Sequence, residues 1–428
     1  MLNRLISSQL ARNTATYMAG NFAEALVPLI LLPILTRFLS PEGYGEVAMF
    51  LTAIGVFGVF VGLNTAGSAN RRYFDENAGR EDVARAVGAC IAIMLLSTAV
   101  LLSALWLFPE PASRVFGLRI DWLFIAVLCC AAGFLTTLRM GQWLVRKSAL
   151  KLIALQAGRS GLNLLLSLAL VVWLLRGSEG RMLAHTVAFV VVGLVGLYLL
   201  NSDRLFSLRF ARSDVQQALW FGLPLIPHAG GVFLLAMADR IVINNTLGID
   251  QVGIYNVAAQ IAAAMGFLFA AFNKAYVPWL FERLSAGVPS EKQKVVRMTY
   301  AYFAGALLLA LIAAALAPLL VGVLAGADYS GAIVAVGWLA LGQAFSGMYL
   351  MVTNYVFYSR KTGYLAVSTF VSGAVNVGLL FWLTGLMGIE GAAMAFALAM
   401  GLRFLLTWAW AQRAHPMPWL SPNWASAL

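Results

Sequence analysis

Long runs of apolar residues recur along the whole chain, separated by short stretches that carry charge, Pro or Gly. Each run has about 20 residues, enough for a helix rising 1.5 Å per residue to cross a hydrocarbon layer about 30 Å thick. Helices are favoured because lipid offers no partners to unpaired backbone groups. The pattern predicts twelve spans, at residues 14–38, 44–68, 83–108, 121–145, 152–175, 182–200, 217–246, 252–280, 296–324, 332–358, 364–387 and 390–412.

A polar gap and a weak internal repeat divide these spans into two sets of six. The gap, residues 201–216, mixes Arg with Leu and Phe, which fits an interfacial amphipathic linker and equally a solvated loop. Residues 39–45 (LSPEGYG) and 247–253 (LGIDQVG) share a Leu, an acidic residue and a Gly at matching places. Parallel repeats are typical of transporters with a substrate site between the halves. We predict an all-α polytopic membrane protein with two pseudo-symmetric six-helix lobes around a central cavity, residues 1–200 and 217–428, joined by a cytoplasmic linker.

The composition supports a membrane protein and gives its orientation. Hydrophobic residues make up 61% and charged residues 11%, against about 25% charged in a soluble domain. The net charge is +11, but most basic residues stand in short loops. Twenty of the 29 are assigned to the N-terminus, the even-numbered loops and the C-terminus, Arg159 among them, and five to the odd-numbered loops, Arg181 among them. By the positive-inside rule both termini are cytoplasmic, and a nucleic-acid partner is not needed to explain the charge.

Three segments carry a resemblance to a known family. Residues 32–45 (LPILTRFLSPEGYG) resemble the end of the first helix of the polysaccharide-transporter, or Wzx-type, flippases. Residues 221–228 (FGLPLIPH), followed by Asp239, Arg240 and residues 247–255 (LGIDQVGIY), resemble the seventh and eighth helices. Asn354, Asn376 and residues 388–392 (GIEGA) resemble the last helices. The chain is therefore identified as a member of the multidrug, oligosaccharidyl-lipid and polysaccharide exporter superfamily.

The resemblance implies a flippase that moves a polyprenyl-diphosphate-linked oligosaccharide, such as an O-antigen or other surface polysaccharide repeat unit. It implies transport from the cytoplasmic to the periplasmic leaflet of a bacterial inner membrane by alternating access. Membrane lipids and a polysaccharide polymerase are the implied partners, and no cofactor is expected. The alternative is a multidrug or small-solute cation/proton antiporter of the same superfamily. The twelve-span count argues against the lipid II flippase branch, which resembles this fold with two extra helices.

Four basic residues lie inside predicted spans: Arg403, Arg240, Lys274 and Arg139. A charge there costs roughly 2.5 to 3.5 kcal/mol on insertion scales, so each needs a cavity, a partner or an interface. Arg403 is placed near the midplane, where it lines a cavity or forms a buried structural pair. Arg139 and Lys274 are placed where they line a cavity or reach an interface. Arg240 follows Asp239 directly, about 100° around a helix, so we expect the two to have different neighbours. These cations suit a lipid diphosphate.

A glycan needs amides, hydroxyls and aromatic faces. The spans offer candidate sugar contacts, each of which is alternatively a hydrogen bond between helices. They are Asn256, Gln260, Asn273, Asn354, Tyr355 and Asn376, with Gln343 beside them.

Three titratable residues are candidates for ion coupling: Glu24, Asp239 and His228. A carboxylate near the midplane has its pKa raised unless a cation is close, so Glu24 is either a coupling group or a salt-bridge partner. His228 is either a switch or a packed neutral imidazole.

Prolines in the first and seventh spans, Pro28 and Pro33 with Pro224 and Pro227, remove backbone hydrogen bonds. We expect these helices to bend as the transporter alternates between its states.

An enzyme is not expected. No Ser/His/Asp set, metal-ligand cluster, phosphate-binding loop or dinucleotide fingerprint is discernible, and the chain has 3 His. None of the odd-numbered loops is long enough for an external catalytic domain.

Overall fold

A computed structural model describes residues 20, 27–361 and 363–419, with the side chain of His228 excepted. The predictions for Glu24 and for the side chain of His228 lie outside the described residues. The described part is almost entirely helical and contains no strand. Its helices are α1 Val27–Phe38, α2 Pro41–Phe60, α3 Ala66–Arg72, α4 Arg80–Leu107, α5 Pro109–Phe116, α6 Ile120–Val145, α7 Ala149–Ser167, α8 Gly177–Ser202, α9 Arg212–Gly222, α10 Ile226–Ala236, α11 Ala238–Leu247, α12 Ile249–Ala286, α13 Pro289–Ala315, α14 Ala317–Leu324, α15 Ile333–Tyr358 and α16 Gly363–Ala414.

The prediction of an all-α polytopic membrane protein is confirmed. Ten segments are long and apolar enough to cross a membrane, and α1 is a shorter apolar helix. The last of the ten, α16, has 52 residues, or about 78 Å at 1.5 Å per residue, which is enough for two crossings. With α16 counted as two crossings, the described residues provide eleven, and α1 lies within the first of the twelve predicted spans.

Short polar residues fix where several helices begin. Ser40 accepts a hydrogen bond from the Gly43 amide at 3.2 Å at the start of α2. Asp82 accepts from the Gly79 amide at 2.7 Å at the start of α4, and Asp214 caps α9 by accepting from the Ala211 amide at 2.8 Å. Such caps satisfy amides that have no partner in the first turn of a helix.

Three predicted spans are interrupted, which corrects their description as continuous helices. Residues 296–324 break at Leu316, between α13 and α14. Residues 44–68 break at Gly62, with φ 72°, and at Leu63, with φ 48°. Residues 217–246 change to a 3-10 turn at Leu223–Leu225 and break again at Met237, with φ −141°. Pro224 accounts for the first of these changes, because its ring removes a donor and crowds the preceding turn.

A single glycine divides α16 into two arms. Gly388 has φ 63° and ψ −141°, values that a helix does not contain. A residue with a Cβ is strained in this region of backbone conformation, whereas glycine is not. Gly388 thus permits the turn between the eleventh and twelfth predicted spans, at the place where the sequence pattern separates them.

We expect Gly388→Ala to lower the thermal unfolding midpoint of the detergent-solubilised protein, because this backbone strain costs on the order of 1 to 3 kcal/mol. Gly378→Ala is the matched control. Gly378 lies in the helical part of α16 with nothing within 4 Å of an added Cβ, so alanine there should leave the midpoint unchanged or raise it slightly. Equal midpoints for the two variants would contradict the role given to Gly388.

The described residues divide between Phe233 and Leu234 into two compact units, and the boundary falls within α10. In the first unit the segment after α8 lies against α4. Leu205 is buried, and the Ser207 amide donates to the Ala84 carbonyl at 3.2 Å. Gly88 permits this approach, because the Ser207 carbonyl oxygen occupies the space of a side chain at that position.

The second unit has a core rich in aromatic side chains. Phe303, Phe404 and Trp408 pack edge-on or stacked with ring centroids 5.2 to 5.8 Å apart. Trp419 lies 5.4 Å from Trp408, and its carbonyl accepts a hydrogen bond from the Tyr300 hydroxyl at 3.0 Å. These contacts hold the chain after α16 against the helix bundle of this unit.

Candidate functional site

Arg403 lies in the second arm of α16, about 22 Å along the helix from Gly388 and about 16 Å from Ala414. Its guanidinium is 3.9 Å from the centroid of the Tyr349 ring and donates to the Thr369 hydroxyl at 3.2 Å. Its Nε is buried and has no hydrogen-bond partner among residues 27–361 and 363–419. Among the described residues no carboxylate lies within ion-pair distance of Arg403. Arg403 is therefore a partly buried cation with N–H donors that remain available for a ligand.

A polar stripe runs along the first arm of α16 beside Arg403. Ser368, Ser372 and Asn376 follow at four-residue spacing, so they share one face of the helix, and all three are buried. Thr407 donates to the Ser368 hydroxyl at 3.0 Å, and the Asn376 amide donates to the Leu234 carbonyl at 3.1 Å. The Ser372 hydroxyl and Asn376 Oδ1 have no hydrogen-bond partner in the described part of the chain. Asn376 was predicted as a sugar contact, and the hydroxyls beside it were not.

The other predicted sugar contacts lie on α12 and α15 and are only partly brought together. Asn354 donates to Asn273 at 2.8 Å across these two helices. Tyr355 is fully buried, with its ring edge-on to Trp419 at 5.8 Å. Asn256 and Gln260 lie one turn apart on α12, and Gln343 lies on α15 close to Gly266 of α12.

Lys274 is exposed and has no ion pair with any described residue.

Asp239 and Arg240 form an ion pair at 2.7 Å, so the expectation that they have different neighbours is wrong. The helix breaks at Met237, and the long Arg240 side chain folds back to Asp239 and donates to the Ala236 carbonyl at 2.8 Å. Tyr255, which is fully buried, donates to the second carboxylate oxygen at 2.6 Å. Asp239 therefore has a cation and a hydroxyl as partners inside the second unit.

Arg139 belongs to the first unit and is only 1% exposed. It forms an ion pair with Asp203, just beyond the end of α8, and its guanidinium lies 4.1 Å from the Trp143 ring centroid. Asp203 also accepts a hydrogen bond at its carbonyl from Arg80. These partners make Arg139 an anchor for the segment that follows α8.

Arg403, Arg240 and Lys274 thus lie in the second unit and Arg139 in the first, each with its own surroundings. The structure describes a different basic group in the first unit. A cavity of about 170 Å³ is lined by residues of α1, α2, α7 and α8, and its polar lining residues are Arg159, Ser160, Asn163, Arg181 and His185.

The loop positions given to Arg159 and Arg181 are wrong. Arg159 lies inside α7, and Arg181 lies inside α8, which begins at Gly177. Leu175 and Gly177 adopt positive φ, so the connection is tight and α8 starts earlier than the predicted residue 182. The sequence did indicate a position inside a helix for Arg159, because this residue falls within the predicted fifth span, residues 152–175.

Comparison with known proteins now identifies the family. A family model described as polysaccharide biosynthesis protein matches residues 10–284. The chain belongs to this family. Membership of the polysaccharide transporter family, expected from residues 32–45, 221–228 and 388–392, is confirmed.

Two relatives illustrate the family. The chain is 25% identical over 382 residues to "Lsg locus putative protein 1" of Haemophilus influenzae, covering 87% of this chain and 91% of the relative. It is 27% identical over 265 residues to the succinoglycan biosynthesis transport protein ExoT of Rhizobium meliloti, covering 57% of this chain and 50% of the relative.

Solved structures of low sequence identity share the fold. The lipid II flippase MurJ in an inward closed conformation superposes with a TM-score of 0.73 at 14% identity, over 91% of this chain and 86% of that one. An inward-facing multidrug transporter of the MATE family gives 0.64 at 16% identity, over 93% and 94%. This family member therefore has a multi-pass transporter fold.

Proposed function

We propose that this family member is a flippase for a polyprenyl-diphosphate-linked oligosaccharide, a surface polysaccharide repeat unit such as O-antigen. It moves the molecule from the cytoplasmic to the periplasmic leaflet of a bacterial inner membrane by alternating access. Both termini are cytoplasmic, the lobes follow the division at residues 201–216, and a polymerase on the far side consumes the product. Family membership supports the class of substrate, and Arg403 is the observation that carries the chemistry.

Arg403 suits a diphosphate because its guanidinium is not neutralised by any described carboxylate. A charge far from both ends of a membrane helix is expensive, and such residues usually mark a substrate or ion pathway. The stacking on Tyr349 stabilises the cation without consuming its N–H donors. Those donors form a planar fork that matches two phosphate oxygens. Lys274, which is exposed, supplies a second mobile charge to the same substrate.

The polar stripe of α16 supports a sugar as the cargo. Ser372 and Asn376 carry buried oxygens that bond to no described residue, and such groups are costly unless a hydrogen bond is completed. Sugar hydroxyls donate and accept, so they can complete these bonds beside Arg403. Asn354 and Asn273 already bond each other, and in our proposal they orient this face of the site together with Asn256, Gln260 and Tyr355.

A cation antiporter is the less favoured function. Exchange of drug for cation or proton needs a carboxylate that is free to bind either one. Asp239 is already paired with Arg240 and accepts from Tyr255. Arg139 is paired with Asp203. In our proposal Arg240 and Arg139 therefore stabilise the fold, and Arg403 contacts the substrate. Ion coupling through Glu24 or His228 remains a prediction.

Deletion of the gene tests the proposed function. We expect surface polysaccharide to fall and the lipid-linked saccharide to accumulate in the cytoplasmic leaflet, where an external glycosidase does not reach it. Expression of the wild-type chain from a plasmid should restore both. Unchanged surface polysaccharide, together with no accumulation of the lipid-linked precursor in the deletion strain, would contradict the flippase function.

A further inference from the structure

The basic cavity of the first unit has no role in the proposed substrate path through Arg403. Its polar residues come from two neighbouring helices. Arg159 and Asn163 lie four residues apart on α7, and Arg181 and His185 lie four residues apart on α8. Four-residue spacing places each pair on one helix face, and all four side chains line the same cavity of about 170 Å³.

Arg181 is the most deeply buried of these groups, at 7% exposure. It donates to Asn163 Oδ1 at 2.9 Å, and its Nε has no hydrogen-bond partner in the described part of the chain. Asn163 is neutral, so this bond orients the guanidinium without balancing its charge. A buried guanidinium with no described counter-charge is costly, because burial removes the water that would otherwise solvate it.

His185 adds a second unused donor. Neither ring nitrogen has a hydrogen-bond partner among the described residues. The ring is stacked on Phe189 with centroids 4.2 Å apart and lies edge-on to Phe50 at 6.3 Å. Two aromatic rings therefore hold the imidazole in place, while no described residue forms a hydrogen bond with its nitrogens.

The charged side chains among the described residues that line the cavity are all basic. Arg159 contributes a further guanidinium, which lies 4.8 Å from the Phe189 ring centroid. No Asp or Glu occurs among the described residues that line the cavity. The volume far exceeds the roughly 30 Å³ that one water occupies in the liquid, so a group with several oxygen atoms fits.

A second cavity, of about 570 Å³, adjoins the first through Arg159 and Phe189, which line both. Most of its lining is apolar, including Ile54, Phe134 and Leu225. An anionic group in the small cavity can therefore belong to a larger molecule whose remainder occupies the adjoining space.

We propose that the α7–α8 cavity binds an oxyanion, a phosphoryl or carboxylate group, through Arg181 and His185, with Asn163 as the positioning residue of Arg181. The group comes from the lipid diphosphate or from an acidic sugar of the cargo. That assignment to the cargo rests on the proposed function, whereas the binding of an oxyanion does not.

The test uses the purified full-length protein in detergent and measures the Kd of pyrophosphate, a short polyprenyl diphosphate and glucuronate at constant ionic strength. We expect Arg181→Gln to weaken binding at least tenfold, because a guanidinium fork is lost. Arg181→Lys keeps the charge and should weaken it less. Arg176→Gln is the matched control, since Arg176 is exposed just before the start of α8, and should leave the Kd unchanged.

Each outcome of this binding measurement supports or overturns the proposed oxyanion site. Arg181-dependent binding of the two diphosphates assigns the lipid headgroup, and Arg181-dependent binding of glucuronate assigns an acidic sugar. Equal binding by wild type and a folded Arg181→Gln or Arg181→Lys variant would overturn the site, as would no binding of any probe. Binding that appears only after Glu24→Gln would also overturn it, because the chain's own carboxylate would then fill the cavity. If Arg181-dependent binding holds while deletion leaves polysaccharide unchanged, the site stands and the cargo assignment falls.

Discussion

Arg403→Ala should abolish transport while the protein remains folded in the membrane. A cell that carries only this variant should lose at least nine-tenths of its surface polysaccharide, because a charged hydrogen bond to phosphate is worth roughly 1.5 to 3 kcal/mol, or about ten- to 150-fold in binding. The neighbours of Arg403 are the Tyr349 ring and the Thr369 hydroxyl, and neither becomes a buried unpaired charge when the guanidinium is removed. The thermal unfolding midpoint should therefore change little.

Two further variants separate charge from position. Arg403→Lys keeps a cation and loses the planar fork, so we expect partial complementation. Arg413→Ala removes an exposed cation near the end of the same helix and should complement fully. Normal polysaccharide with Arg403→Ala, at wild-type protein level, would refute its role at the headgroup.

Asp239→Asn should strongly destabilise the second unit. The change leaves the Arg240 guanidinium, which is mostly buried, without its counter-charge, and breaking a buried pair from one side costs roughly 3 to 5 kcal/mol. It also weakens the acceptor of the Tyr255 hydroxyl. We expect a marked fall in the thermal unfolding midpoint in detergent. Asp250→Asn, an exposed acid on α12, should stay within about 0.5 kcal/mol of wild type.

The double variant Asp239→Asn/Arg240→Met should recover most of the lost stability, because it removes the uncompensated charge. Transport by this double variant then tests the ion-coupling prediction for Asp239. We expect transport to recover with stability, as a structural pair requires. A stable double variant without transport would show instead that the Asp239 carboxylate takes part in coupling.

The sequence predicted the membrane helices well because apolar runs and their charged ends are set by the lipid, which acts on each segment alone. It could not place the break at Gly62, because this turn depends on the packing of neighbouring helices. The break at Gly388 could be predicted, since this glycine falls between the eleventh and twelfth predicted spans. The pairing of Asp239 with Arg240 could not be predicted from helix geometry, because both residues lie in α11 and the long Arg240 side chain reaches back to its neighbour.

The candidate site was predictable only in part. Arg403 was found because a lone cation inside an apolar run is visible in the sequence. The absence of a described carboxylate near it, and the partnering of Arg139 with Asp203, required three-dimensional contacts. The α7–α8 cavity was missed because Arg159 and Arg181 were counted with the loops, and their approach depends on how two helices pack.

Flipping by the purified protein tests the central claim most directly. The protein is reconstituted into liposomes that contain a polyprenyl-diphosphate-linked oligosaccharide, and the fraction of saccharide cleaved by an external, membrane-impermeant glycosidase is followed with time. Our account predicts that cleavage stops near the outer-leaflet half in empty liposomes, approaches completion with the wild-type protein and stays near half with Arg403→Ala. Cleavage that stops near half with correctly folded wild-type protein would contradict the account.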